Sequence, residues 1–265
     1  MKKVLLITGC SSGFGKALCE VFSKKDYYVI ASARDKSKLA TVTADLKVEM
    51  DVSDEESINT AISQIMQKVN CIDILINNAG YSVRSAVEEI DMKALHDMYE
   101  VNVFGTLRVM QKVLPIMRCQ RSGRIINIGS ISGRMTGIAN GGYCSTKYAV
   151  EAITEAARYE VADMGIEVCV VEPGAMDTDF FRTLAQNSDE KMKNSESPYN
   201  KVYERDLSFR KKQSKSDVEK CAVKLVNILG QKKLKVRYTI GVSLIYKMFV
   251  KMPDRIKEWG IRMFN

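Results

Sequence analysis

Six short runs rich in Val and Ile recur along the chain, at Lys3 to Thr8, Tyr27 to Ala33, Lys47 to Met50, Ile72 to Ile76, Arg124 to Ser130 and Ile166 to Val171. Helical periodicity fills the gaps between them. A strand that is apolar at nearly every position must be buried on both faces, and such strands alternating with amphipathic helices build a parallel sheet covered on both sides. The pattern predicts an α/β, doubly wound Rossmann-type sheet of about seven strands in a single domain spanning 1–265. Beyond the sixth run, a polar, Lys-rich stretch at 185–216 is expected to form a loop or small helical lid. A helix near Ser216 to Leu229, a strand near Val236 to Ile240 and an amphipathic tail, Leu244 to Phe264, make up the rest of 217–265. In a sheet of this kind, ligands sit beyond the carboxyl ends of the strands.

Several function classes drop out early. No apolar run approaches the roughly 20 residues needed to span a bilayer. The start, Met1-Lys2-Lys3, leads straight into a strand without the apolar region and cleavage site of a secretory signal, so a cytoplasmic location is expected. The seven cysteines form no C-x-x-C pair and His96 is the only histidine, so no metal site is expected and the thiols read as reduced. Charge is uneven: residues 1–190 hold 21 Lys/Arg against 25 Asp/Glu, whereas 191–265 hold 19 against 7. That basic quarter reads first as a solvated face. Its other reading is weak peripheral contact with an acidic membrane through the tail, where Leu244, Ile245, Met248, Phe249 and Met252 alternate with Lys247, Lys251 and Arg255. No nucleic-acid partner is expected.

The segment Thr8-Gly9-Cys10-Ser11-Ser12-Gly13-Phe14-Gly15 lies between the first strand and the helix beginning near Lys16. Glycines there let the backbone approach a pyrophosphate, and a helix N-terminus supplies unpaired N–H groups. The second strand ends on Arg34, where a dinucleotide fold reads the adenosine ribose. An acidic residue would accept from the 2′-hydroxyl of NAD, whereas Arg34 can hold a 2′-phosphate, so NADP(H) is expected over NAD(H). Asp35 could instead pair with Arg34 at the surface.

The T-G-x-x-x-G-x-G spacing at 8–15, Asn77-Asn78-Ala79-Gly80 after the fourth strand, Tyr143-x-x-x-Lys147, and Pro173-Gly174-x-x-x-Thr178 after the sixth strand together resemble the short-chain dehydrogenase/reductase family, in its order, over about residues 3–180. The resemblance implies a nicotinamide-dependent oxidoreductase interconverting a secondary alcohol and a ketone, with residues 1–184 as its cofactor-binding and catalytic core. It adds Asn102 and Ser130 to Tyr143 and Lys147 as the active site, Ser130 being chosen over Ser132 by its thirteen-residue spacing from Tyr143. Cofactor contacts are implied at Gly9, Ser11, Ser12, Gly13, Phe14, Gly15, Arg34, Asp51, Val52, Asn78, Ala79, Gly80, Tyr143, Lys147, Pro173, Gly174 and Thr178.

The chemistry suits these residue types. Hydride arriving at a carbonyl carbon leaves negative charge on oxygen, and Tyr143 is placed to donate the proton. Lys147, one helical turn later, favours the phenolate needed in the reverse direction. Ser130 can donate to the substrate oxygen. Asn102 is implied by the resemblance to order a water linking Lys147 to solvent. Cys10 and Cys144, beside these motifs, read as buried filler.

Three segments, Tyr81 to Ala86, Ile131 to Gly142 and Ala175 to Ser216, should wall the substrate. Their Val83, Met135, Met176, Phe180 and Phe181 suggest a hydrophobic one. The glycine segment and the extension after residue 230 look similar to the 17β-hydroxysteroid and retinol dehydrogenase branch, which implies a lipid-like, steroid-like or retinoid-like carbonyl. Two other readings are a 3-oxoacyl-carrier-protein reductase and, in a different class, a non-catalytic cofactor sensor or scaffold. The helices carrying Asn102 and Tyr143 are the family's usual interface, so a homodimer or homotetramer is expected.

Overall fold

The structure is a computed structural model describing residues 2–192, 196–250, 252–253 and 255–258. Part of the expected lid, 193–195, and of the tail, including Lys251 and Phe264, lie outside the described residues.

Seven strands form one parallel sheet: β1 (Lys3–Ile7), β2 (Tyr27–Ala33), β3 (Leu46–Glu49), β4 (Ile74–Asn77), β5 (Gly123–Ile128), β6 (Ile166–Pro173) and β7 (Arg237–Ile240). Their order is β3-β2-β1-β4-β5-β6-β7. The alternating side chains explain why the runs read as continuously apolar. Leu5 and Ile7 of β1 enter one core cluster and Val4 and Leu6 the other, and β4 divides its Ile74, Leu75 and Ile76 in the same way.

Helices α1 (Gly13–Ser23) and α8 (Val218–Leu229) cover one face; α2 (Glu55–Val69), α4 (Thr106–Gln120) and α5 (Gly141–Glu160) cover the other. Their boundaries follow local chemistry. Asp54 caps α2 by accepting from Glu56 N at 3.0 Å, with Glu55 and Glu56 in the first turn, and Asn70 closes it in the left-handed region. Asp217 caps α8 through Lys220 N at 2.9 Å.

Between β4 and α4 runs one long helical rod, α3 (Met92–Tyr99) followed by a widened π-helical turn, Glu100–Gly105. Gly105 is required there, because a Cβ would lie 2.8 Å from Val52 Cγ2.

The stretch expected to form the lid is helical, and its first helix begins at Asp179. It comprises α6 (Asp179–Met192) and α7 (Asn200–Lys212), with a separate small cluster of Ala86, Ala139, Met192 and Tyr203. The amphipathic pattern of this stretch is weak because only Leu184, Ser188, Met192, Tyr203 and Asp206 among its described side chains are buried, two of them polar. In the tail, α9 (Leu244–Val250) leaves Leu244, Ile245 and Met248 exposed. No helix among the described residues is long and apolar enough to cross a membrane.

Candidate active site at the carboxyl edge of the sheet

In sequence order the sheet grows outward from β1 to β3 and then returns to β4 on the other side of β1, so a crevice opens between the carboxyl ends of β1 and β4. Thr8 closes its floor. Its Oγ1 accepts from Asn78 N at 3.0 Å and Ala79 N at 3.1 Å, and Asn78 Nδ2 donates back to the carbonyls of Thr8 at 2.9 Å and Gly9 at 3.1 Å. The glycine segment and Asn78 to Gly80 are thus brought together as expected. Gly9 has φ +70°, and a Cβ on it would meet Ala79 Cα at 2.7 Å; on Gly15 it would meet Gly9 O at 2.4 Å. Only glycine permits this approach.

The residues around that crevice fit a dinucleotide. Ser12 precedes α1 without a side-chain hydrogen bond to the helix, and the first turn holds no acidic residue, so the N–H groups of Gly13 to Gly15 face a place suited to an anion. Phe14 itself is buried in the core, leaving its backbone for a ligand. Arg34 is exposed just past β2. The rival pairing does not occur: Asp35 accepts from Ser37 N at 2.9 Å and Ser37 Oγ at 2.6 Å, a capping arrangement that also holds its carboxyl below the usual range. Asp51 is likewise bound to Ser53 N, at 2.9 Å, beside Val52. Thr178 lies over the loop, 3.4 Å from where a Gly13 Cβ would stand. Gly174 follows Pro173 at the end of β6, pressed so close to β7 that a Cβ would meet Gly241 O at 2.3 Å.

Tyr143 and Lys147 project from the first turns of α5, both buried. Lys147 Nζ donates to Ile128 O at 2.9 Å and lies 5.9 Å from the Tyr143 ring centre. Ser130, one residue past Gly129 at the end of β5, stands close enough to the Tyr143 hydroxyl to lower its pKa. Ser132 does not take that place; its N–H donates to Ser130 Oγ at 3.0 Å and fixes the rotamer.

Asn102 sits in the π-helical turn, where its amide clamps Tyr81, accepting from Tyr81 N at 3.0 Å and donating to Tyr81 O at 2.9 Å. It also donates to Thr146 Oγ1 at 3.1 Å on α5. A Cβ on Gly80 would come within 3.0 Å of Asn102 Oδ1 and 3.7 Å of Lys147 Nζ, so Gly80 keeps the space between them clear.

The site's electrostatics follow from burial. The Tyr143 phenol is pushed up to about 12 by desolvation, partly offset by the neighbouring Ser130 hydroxyl and the charge of Arg84. Desolvation lowers Lys147 to about 8, with the Glu151 carboxylate pulling the other way. A phenol holding its proton next to an ammonium that can lose one is a proton-transfer pair. Cys10 and Cys144 are buried with thiols pushed up by desolvation, which suits packing.

The ring of Phe180, at the start of α6, lies 6.0 Å from that of Tyr143, so the lid reaches the site. Lid residues that sequence reasoning missed hold it there. Arg84 Nη1 meets Asp206 Oδ1 at 2.9 Å, Arg84 N donates to Ser188 Oγ at 2.9 Å, and Ala86 N donates to Tyr203 Oη at 3.1 Å. Tyr203 and Tyr199 in turn donate to Glu89 and Glu88.

Comparison with known proteins places this geometry. The family model of short chain dehydrogenase matches residues 3–189. A 3-ketodihydrosphingosine reductase of Bacteroides thetaiotaomicron is 32% identical over 268 residues, covering 99% of this chain and 97% of the relative. An NADPH-dependent 3-dehydrocapnine reductase of Ornithobacterium rhinotracheale is 30% identical over 273 residues, covering 96% and 94%. A solved structure described as ElxO with NADP bound is similar at TM-score 0.73 and 28% identity, covering 91% of this chain and 97% of that one.

Proposed function

This chain belongs to the short-chain dehydrogenase family of oxidoreductases, and from that premise we propose that it is an NADP(H)-dependent reductase of a hydrophobic, lipid-like ketone. The observation that carries the reading is the buried Ser130, Tyr143 and Lys147 group at the carboxyl edge of the sheet, with Phe180 of the lid facing Tyr143. When bound, the nicotinamide supplies the hydride. Ser130 donates to the carbonyl oxygen and Tyr143 Oη delivers the proton as charge develops there. Lys147 holds positive charge beside Tyr143 and orients the cofactor, while Asn102 holds the Gly80 and Tyr81 backbone in place. Residues Gly9, Ser11, Ser12, Gly13, Phe14 and Gly15 cradle the pyrophosphate. Asp51, Val52, Asn78, Ala79, Gly80, Pro173, Gly174 and Thr178 line the remainder of the cofactor.

The preference for NADP(H) rests on Arg34, which keeps its guanidinium exposed while Asp35 is engaged by Ser37. The NADP-bound relative supports it. Arg34→Ala is expected to raise KM for NADPH by about tenfold or more, the worth of a charge-assisted hydrogen bond, and to leave KM for NADH nearly unchanged. Equal changes with both cofactors, measured by initial rates, would remove the assignment.

The lipid-like substrate is supported by the relative named for 3-ketodihydrosphingosine and by the aromatic pair Phe180 and Phe181 on the lid. Screening NADPH oxidation against 3-oxo amphiphiles of graded chain length, small ketones and 3-oxoacyl thioesters tests it. Activity rising with apolar chain length is expected; turnover confined to small ketones or to thioesters would overturn it. Exposed Leu244, Ile245 and Met248 beside Lys247 support peripheral seating on an acidic membrane, where such a substrate resides. Exposed Tyr148 and Tyr159 on α5 and Phe104 before α4 support a homodimer or homotetramer built on those helices. Residues 1–184 then serve as catalytic core, 185–216 as part of the lid, and 217–265 as the closing helix, strand and tail.

A further inference from the structure

One helical turn beyond Lys147, α5 carries a buried carboxyl group, Glu151. Glu172 reaches the same point from β6, and their side chains are 7% and 5% exposed. Arg237 of β7 donates through Nε to Glu151 Oε2 at 2.7 Å and through Nη2 to Glu155 Oε2 at 2.7 Å. To Glu172 Oε1 the nearest cations are Arg237 Nε and Arg134 Nη1, each at 3.7 Å, beyond hydrogen-bonding range. Glu151 Oε1 and Glu172 Oε1 are both fully buried and, among the described residues, receive no hydrogen bond. Yet the two carboxyl groups converge on Arg237 Nε, with Glu151 Oε2 at 2.7 Å and Glu172 Oε1 at 3.7 Å, and each acts on the other's titration. Two acceptors facing one another with no donor between them need a proton, because like charges in contact do not both ionise. Burial pushes both acids up, Glu172 to about 7, with the charge of Glu151 as the next cause.

The pair also touches the catalytic loop. A Cβ on Gly129, next to Ser130, would lie 3.1 Å from Glu151 Oε1. On Gly133 it would lie 3.1 Å from Glu151 Cγ and 3.0 Å from Lys147 O. The turn that presents Ser130 therefore rests directly on Glu151.

We propose that Glu151 and Glu172 share one proton between these two oxygens, and that the single negative charge they retain makes Glu151 a positioning residue for Lys147 and the Ser130 turn. The groups facing this charge are Lys147 and Glu155 on α5, Glu172 on β6, Arg237 on β7 and Arg134 after Ser130. Of these, Lys147 is the buried cation whose proton the charge helps retain. The kinetic consequence rests on the reductase reading above; the shared proton does not.

The test compares the full chain with Glu151→Gln and Glu172→Gln. Infrared titration of the free protein should show a protonated-carboxyl band that disappears as pH rises through neutrality, and that band should be missing in both variants. Each leaves one carboxylate with no partner to share a proton. A band retained in either variant, or missing from the wild type, overturns the shared proton, and Glu172→Gln decides this arm should Glu151→Gln fold poorly. In kcat/KM for ketone reduction, Glu151→Gln should move the basic limb to lower pH by about half a unit or more, since the charge retreats to Glu172. Glu172→Gln leaves the nearer charge on Glu151 and should lower that limb less than Glu151→Gln does. Equal downward shifts in the two variants, or none in Glu151→Gln, would overturn the positioning role.

Discussion

Replacing Tyr143 with Phe is expected to lower ketone reduction by about a thousandfold while leaving NADPH binding nearly intact. The side chain loses only its hydroxyl, so its packing against Phe180 and the fold of α5 persist. What disappears is the proton donor, because the hydroxyl of Ser130 beside it carries a far less acidic proton. NADPH titration by fluorescence, alongside initial rates, separates binding from chemistry; a variant retaining most of its kcat would refute the mechanism. In the wild type the phenol, at about 12, keeps its proton across the neutral range, so reduction is not limited by Tyr143 there. Lys147 sets the alkaline boundary. With its proton lost as pH rises through about 8, reduction should decline above that value.

The part of this site readable in the sequence is the part built from local segments. Gly9, Gly13 and Gly15 carry their message in spacing, because the clearances between Gly9 and Ala79 and between Gly15 and Gly9 admit nothing larger. Tyr143 and Lys147 share a face through helical periodicity alone. The strand runs were legible because both sheet faces are covered, with boundaries displaced by a residue or two, as at Ile72, which is buried but precedes the paired residues of β4. Ser130 needed the spacing rule, and the structure adds that the Ser132 backbone N–H donates to Ser130 Oγ.

What the sequence concealed are partnerships between distant polar residues. Arg84 and Asp206 are 122 positions apart, and Arg237 and Glu151 are 86 apart. No periodicity encodes such pairs. In the lid they matter doubly, since its apolar cluster is small and a Lys-rich helix resembles a solvated surface until Asp206 is seen to be buried. The charge of Arg84 also reaches the Tyr143 phenol and lowers it, so the same guanidinium fastens the lid and assists the acid.

Asp206→Ala is therefore expected to release the lid, and to do so more than any change at Arg84. Asp206 joins two guanidinium groups, Arg84 through Oδ1 at 2.9 Å and Arg210 through Oδ2 at 2.8 Å, with only 3% of its side chain exposed. Removing it leaves Arg84, itself 17% exposed, as a buried cation facing another cation, and breaking a buried pair in this way costs about 3 kcal/mol. Arg84→Met leaves Asp206 still paired with Arg210 and should cost less. The loss falls on α6 and α7, which have their own small cluster, rather than on the two cores of the sheet. Hydrogen exchange in α7 should accelerate by about a hundredfold in Asp206→Ala, with exchange in α5 unchanged. The KM for an apolar ketone should rise through loss of the Phe180 wall. Uniform acceleration across α5 and α7 would show that the lid is no separate unit, and unchanged exchange in α7 would show that Asp206 does not fasten it.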